Sequence, residues 1–168
     1  MQLPIGCIRS FRQDDARALA RYANNRNIWL NLRDRFPHPY MIDDARRFLE
    51  GVVGQAPETV FAIDIDSEAA GAIGLILHED VERCSAELGY WLGEPFWGRG
   101  VMTEAVKGVT AHAFEAFSLT RVYAVPFASN LASARVLEKA GYVLEARLRR
   151  SAIKADVVTD QLLYATVR

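Results

Sequence analysis

The chain has 168 residues, 20 Lys and Arg against 21 Asp and Glu, and 51% hydrophobic residues, enough apolar mass for one sizeable core. A net charge of -1 supplies no general basic field for phosphate backbones, so nucleic acid is not expected as a partner. Cys7 and Cys84 match neither a metal pair nor a disulfide framework; with no apolar run long enough to cross a bilayer, no membrane association is expected and a cytoplasmic protein is.

Residues 3 to 10, LPIGCIRS, read as a first strand. DDARALARYANN then places Ala16, Leu19, Ala20 and Ala23 on one helical face, with Asp14 as the cap. Pro37 and Pro39 interrupt helix, and MIDDARRFLEGVVG resumes it with Ile42, Ala45, Phe48, Leu49 and Val52 inward. TVFAIDI and AGAIGLIL are β-prone runs joined through DSEAA as a hairpin, and SAELGYWL alternates Ala86, Leu88, Tyr90 and Leu92 toward one face.

From Thr103 to Phe117 the set Val106, Val109, Ala113 and Phe117 recurs at helical spacing. RVYAVPF is a strand stopped by Pro126, NLASARVLEKAG a helix capped by Gly141, and YVLEARLRRSA with VVTDQLLYATV a closing hairpin. The order βααβββαβαββ, without linker or repeat, predicts a single mixed α/β domain over residues 1–168 around one sheet.

The decisive stretch is EPFWGRGVMTEAV, where Gly98 and Gly100 link a strand to a helix. Such a link presents backbone amides and the positive end of the helix dipole to an anion, phosphate first among them; an ordinary turn is the alternative. A nucleotide P-loop would need Lys after Gly100, where Val101 stands, and the dinucleotide pattern would need glycine at Thr103.

With AELGYWLGEPFWGRGVMTEAV followed by NLASARVLEKAGYVLEARLRR, and with PHPYMIDDARRFL earlier, the chain resembles the GNAT superfamily of acetyl-coenzyme A-dependent N-acetyltransferases, in particular the ribosomal-protein N-terminal subgroup. The signature Q/R-x-x-G-x-G/A falls on Trp97-Gly98-Arg99-Gly100-Val101-Met102, with Gly100 the matching glycine and with Trp97 and Met102 departing from the pattern. The resemblance implies a mostly antiparallel central sheet of about seven strands flanked by helices. It also implies that two splayed strands hold the pantetheine arm and that the glycine turn holds the pyrophosphate; Arg99 is either a further phosphate contact or a solvated loop arginine, and Thr103 either a further phosphate contact or only the start of the helix.

On the same grounds the backbone of Tyr90, Trp91 and Leu92 donates to the acetyl carbonyl and pantetheine, Asn130 touches the arm, with an N-cap role as its alternative or companion, and Ser133 protonates the departing thiolate, with a close helix contact as its alternative. Many members use a tyrosine for that last role, at a place filled here by Leu137. Glu87 is expected to be the base that deprotonates the ammonium, against the alternative of a structural ion pair. Of His38, His78 and His112, His78 is the best placed to assist, and an exposed loop position is its expected setting. Asp64/Asp66 and Asp43/Asp44 fit turns and helix starts, and no metal is expected.

The implied reaction is acetyl transfer from acetyl-coenzyme A to a primary amine, a protein N-terminus or a small molecule, by direct attack in a ternary complex. The alternative is a noncatalytic acyl-coenzyme A sensor. Specificity would reside around Asn27 to Tyr40 and Arg149 to Val158, and a homodimer is an open expectation.

Overall fold

Arg9 organises the start of the fold. Its strand β1 (Cys7–Arg9) pairs antiparallel with β2 (Val60–Ile65), and its guanidinium forks onto Asp15 with Nη1 and Nη2 at 2.8 and 2.7 Å while Nε donates to Asp64 at 2.6 Å. The side chains of Arg9, Asp15 and Asp64 are only 14%, 6% and 13% exposed, and the hydrogen bonds that Arg9 donates to Asp15 hold its proton still more tightly than usual. A bidentate arginine in partial burial fixes geometry as well as charge.

The computed structural model describes residues 1–168. Two compact units are formed, Met1–Gly74 with Tyr90–Val101, and Leu75–Gly89 with Met102–Arg168. The seven strands run in the order β1-β2-β3-β4-β5-β7-β6, where β3 is Glu68–Leu77, β4 Ser85–Leu92, β5 Arg121–Ala124, β6 Val143–Lys154 and β7 Val157–Val167. The expected mixed sheet and the order of its elements are both present, and β4–β5 is parallel.

In the first unit α1 (Ala16–Ala23) and α3 (Ile42–Val52) turn Leu19, Ala23, Ala45 and Leu49 onto Phe11, Tyr40, Ala62, Ala69 and Ala72. Apolar residues at i, i+3 and i+4 make each helix one-sided. The expected cap Asp14 is exposed; the working carboxylate is Asp15, whose Oδ2 accepts the Arg12 amide at 2.8 Å. A four-residue helix α2 (Arg26–Trp29) is added to the expected order, too short to show a period in the sequence; Asn25 caps it by accepting from the Asn27 and Ile28 amides. The β2–β3 turn is Asp66-Ser67, both at positive φ, so that Ala69 and Ala70, expected in the connection, are fully buried in β3.

In the second unit α4 (Val101–Ala116, its first residue belonging to the first unit) buries Ala105, Val106, Val109 and Ala113. Thr110 on the same helix is also buried and shares a 2.7 Å hydrogen bond with the Tyr142 hydroxyl, whose pKa burial pushes up to about 12. Helix α5 (Leu131–Lys139) ends at Gly141, φ 92, where the Gly141 and Tyr142 amides cap the Glu138 and Leu137 carbonyls.

Strand β6 is the outermost of the sheet. Its pairing with β7 shifts between Leu148 and Ala152, where the Asp160 carboxylate takes the Arg147 Nε at 2.7 Å and the Arg150 amide at 2.7 Å. These bonds, led by that amide, lower the Asp160 pKa.

Removing Asp15 strands Arg9 in partial burial without its fork. Asp15→Ala is expected to cost about 3 kcal/mol, read as a lower denaturant midpoint at unchanged slope; a change within about 0.5 kcal/mol would show the fork to be ornamental.

Candidate functional site

Strand β4 carries Glu87, Tyr90, Trp91 and Leu92 of the predicted site residues. Its pairing with β5 comprises only Ser85–Arg121, Ala86–Val122 and Glu87–Tyr123; from Leu88 onward β4 runs without a rung to β5. Strand alternation then sorts the backbone. The Ser85 carbonyl accepts from His78 and the Gly93 amide donates to Ala70, so the odd-numbered peptide groups turn to β3 and those of Leu88, Tyr90 and Leu92 turn to the β5 side. Of the three expected donors, Tyr90 and Leu92 face the side where pairing has ended and Trp91 does not.

Gly71 makes this packing possible. A Cβ there would lie 2.5 Å from the Trp91 carbonyl oxygen and 3.0 Å from the Leu92 Cα, so only glycine lets β3 lie so close to this part of β4. The Trp91 ring meets Phe36 edge-on with centroids 5.8 Å apart, and Phe36 lies 4.8 Å from Tyr40. Trp91, Phe36 and Tyr40 thus form an aromatic group beside the end of β4.

Past β4 the chain makes a 3-10 turn over Glu94–Phe96 and reaches Gly98 and Gly100, at φ 74 and 77. Both are left-handed, which explains glycine; both would also give an added Cβ nothing within 4 Å to meet. Trp97, where the family pattern has Gln or Arg, donates its indole Nε1–H to the Leu92 carbonyl at 2.7 Å, tying the turn to the strand end. Glu94 receives Asn25 Nδ2 at 2.6 Å and Asn27 Nδ2 at 3.1 Å, and the Arg99 guanidinium stands 5.9 Å from the Phe96 ring centroid.

Helix α4 begins at Val101 directly after this turn. Val101 and Met102 are 1% and 8% exposed, so their side chains are committed to packing and only their backbone can serve a ligand. Thr103 is half-buried. The first amides of a helix have no intrahelical acceptor and collect at the positive end of its dipole.

Asn130 caps α5, its Oδ1 accepting the Ser133 amide at 3.1 Å. Ser133 and Glu87 are both half-buried. Leu137 is 0% exposed, a core side chain.

His78 departs from the expected exposed loop setting. It is half-buried, and its Nε2 lies 2.8 Å from the Tyr123 hydroxyl; sequence spacing offered no sign of this pairing across 45 residues. His38 is exposed and stacked on Trp29 at 5.6 Å, while His112 meets Phe117 edge-on. Asp44 accepts the Met41 amide and Asp64 binds Arg9, as helix-start and structural carboxylates do. No group of three His, Cys, Asp or Glu is placed to hold a metal ion, and no helix is long and apolar enough to cross a membrane.

The chain matches the acetyltransferase (GNAT) domain family over residues 7–143. It is 27% identical over 128 residues to the ribosomal-protein-serine acetyltransferase of Escherichia coli, covering 74% of this chain and 71% of that one. Matches to two Bacillus subtilis relatives take in 56% and 37% of those proteins, so the similarity spans about half their length. Among solved structures, Mycobacterium smegmatis RimJ in complex with CoA-disulfide has a TM-score of 0.85 at 25% identity, covering 99% of this chain and 84% of that chain. RimL, a ribosomal-protein alpha-N acetyltransferase in complex with coenzyme A, has a TM-score of 0.85 at 20% identity, covering 98% and 97%, and shares the fold.

Gly71→Ala is expected to push β4 from β3 and cost about 2 kcal/mol, seen as a lower melting temperature. A variant as stable as the parent would show that the strands have slack.

Proposed function

Because the chain belongs to the GNAT acetyltransferase family, we propose that it transfers an acetyl group from acetyl-coenzyme A to a primary amine held beside it. The observation that carries this reading is the end of β4–β5 pairing at Glu87, followed along the same chain by the Gly98/Gly100 turn and the start of α4.

The residues present fit the cofactor. Left-handed glycines with open space at their Cβ positions leave main-chain amides approachable, and such a turn before a helix suits a diphosphate. In this reading the amides from Gly98 to Thr103 hold the diphosphate, with Arg99 at the rim. The backbone of Tyr90 and Leu92, beyond the last rung to β5, orients the pantetheine and the acetyl carbonyl. Asn130 keeps its Nδ2 for the arm while its Oδ1 caps α5.

Coenzyme A supplies an activated acyl thioester. Glu87 accepts a proton from the ammonium so that the free amine can attack, and Ser133 gives a proton to the leaving sulfur. Holding both reactants removes a bimolecular entropy cost, and one positioned acid or base adds roughly 10²- to 10⁴-fold. The acceptor is a protein N-terminus or a small-molecule amine; the E. coli relative named for a ribosomal-protein serine favours testing peptide N-termini first.

Thiol release with a panel of peptides, polyamines and amino metabolites tests the reading. Turnover above hydrolysis with one of them is expected. Saturable coenzyme binding without turnover would instead indicate an acyl-coenzyme A sensor, a role compatible with leucine at position 137.

Glu87→Gln is expected to lower kcat/KM by about 10²-fold near neutral pH and by less at high pH, where free amine is abundant. A pH profile that overlays the parent removes Glu87 as base. Gly100→Val places a β-branched side chain at φ 77 and is expected to weaken coenzyme binding by at least about tenfold, read by calorimetry on variant protein with parental circular dichroism. Unchanged affinity would place the diphosphate elsewhere.

A further inference from the structure

We propose that Tyr123 and His78 form the exit route for the proton that Glu87 takes from the amine, an inference that rests on reading Glu87 as the base. Glu87 and Tyr123 are opposite one another on the last rung of the β4–β5 pair, and residues directly opposed across a rung project to the same face of the sheet. From that rung the Tyr123 hydroxyl reaches His78 Nε2 at 2.8 Å, the two rings lying parallel within 4° at a centroid separation of 5.7 Å.

The route leads outward. His78 sits beside Ser85, to whose carbonyl its amide donates at 3.2 Å, two residues from Glu87 along β4. It is followed by Glu79, Asp80, Val81, Glu82, Arg83 and Cys84, all exposed. The pair therefore joins the half-buried base to a solvated loop.

Charged and polar groups face this path from several strands. From β4 the charged neighbour is Glu87 itself; the Ser85 hydroxyl, on the same face, donates to the Glu82 carbonyl at 3.1 Å. From β5, Arg121 stands 5.8 Å from the Tyr123 ring centroid, and from β6 Glu145 takes its Nη1 at 2.8 Å. The hydrogen bonds that Arg121 donates to Glu145 hold its proton still more firmly, so the guanidinium adds positive field at the phenol without itself exchanging a proton. On β3, Ile76 lies opposite Glu87 by strand register and is apolar.

With the imidazole proton on Nδ1, Nε2 accepts from the phenol. The proton on the Glu87 carboxyl passes to the Tyr123 oxygen, directly or through one water, as the phenol passes its own to Nε2; the Nδ1 proton leaves to water at the loop. One proton moves from carboxylic acid to solvent, only O–H and N–H bonds change, and water exchange resets the tautomer.

The test uses the whole chain with the best amine from the acceptor screen, and variants Tyr123→Phe, His78→Gln and His78→Ala. Expected are a kcat reduced about tenfold in each, an unchanged KM for acetyl-coenzyme A, and restoration of His78→Ala by imidazole in the buffer. His78→Gln keeps a hydrogen-bonding partner for Tyr123 and lacks an ionisable ring, so it separates a relay from a strut. Parental kcat in His78→Gln, or no imidazole response in His78→Ala, overturns the relay. If His78→Ala fails to fold, Tyr123→Phe and His78→Gln decide on kcat and its solvent deuterium isotope effect, both of which must change. An unaltered pH profile in Glu87→Gln removes the base itself, whereas an impaired Glu87→Gln beside parental Tyr123→Phe and His78→Gln removes the relay alone.

Discussion

The candidate site depends on the early end of pairing between β4 and β5. Three rungs align Glu87 with Tyr123 and then stop, so that the rest of β4 presents backbone outward to a side where a sheet would ordinarily present another strand. In the function proposed above, a ligand meets main-chain groups along this part of β4. The glycine turn and the first amides of α4 continue the same offer of main-chain donors along the chain.

Packing on both sides holds that strand and the turn after it in place. Gly71 admits the Trp91 carbonyl on the β3 side, and the Trp97 indole ties the turn to Leu92. A tryptophan at the family's Gln or Arg position therefore has a visible structural occupation here. Val101 and Met102 anchor the other end of the turn by burial. In the function proposed above, binding through backbone tolerates such substitutions, because packing fixes the positions of the amides whatever side chains they carry.

Periodicity made most of the fold legible. The apolar stripes of α3, α4 and α5 and the alternation in SAELGYWL follow from burying one side of a helix or strand, and the structure repeats them. What escaped the reading is what periodicity cannot carry. Helix α2 has four residues and no repeat, Asp15 rather than Asp14 was selected by an arginine from β1, and Thr110 meets Tyr142 across 32 residues. At the site, the glycine turn was legible from spelling alone. The sorting of Tyr90 and Leu92 from Trp91, and the pairing of His78 with Tyr123, needed the strand register.

The shifted register in β6 has a consequence for how the molecule behaves among its copies. An outermost strand with Val143, Leu144 and Ile153 exposed is a template on which a foreign strand could assemble. Where Asp160 gathers Arg147 and the Arg150 amide, the ladder is interrupted and cationic side chains crowd the margin. A second strand arriving there finds neither continuous rungs nor a neutral surface, and this guards the protein against edge-to-edge aggregation without any covering element.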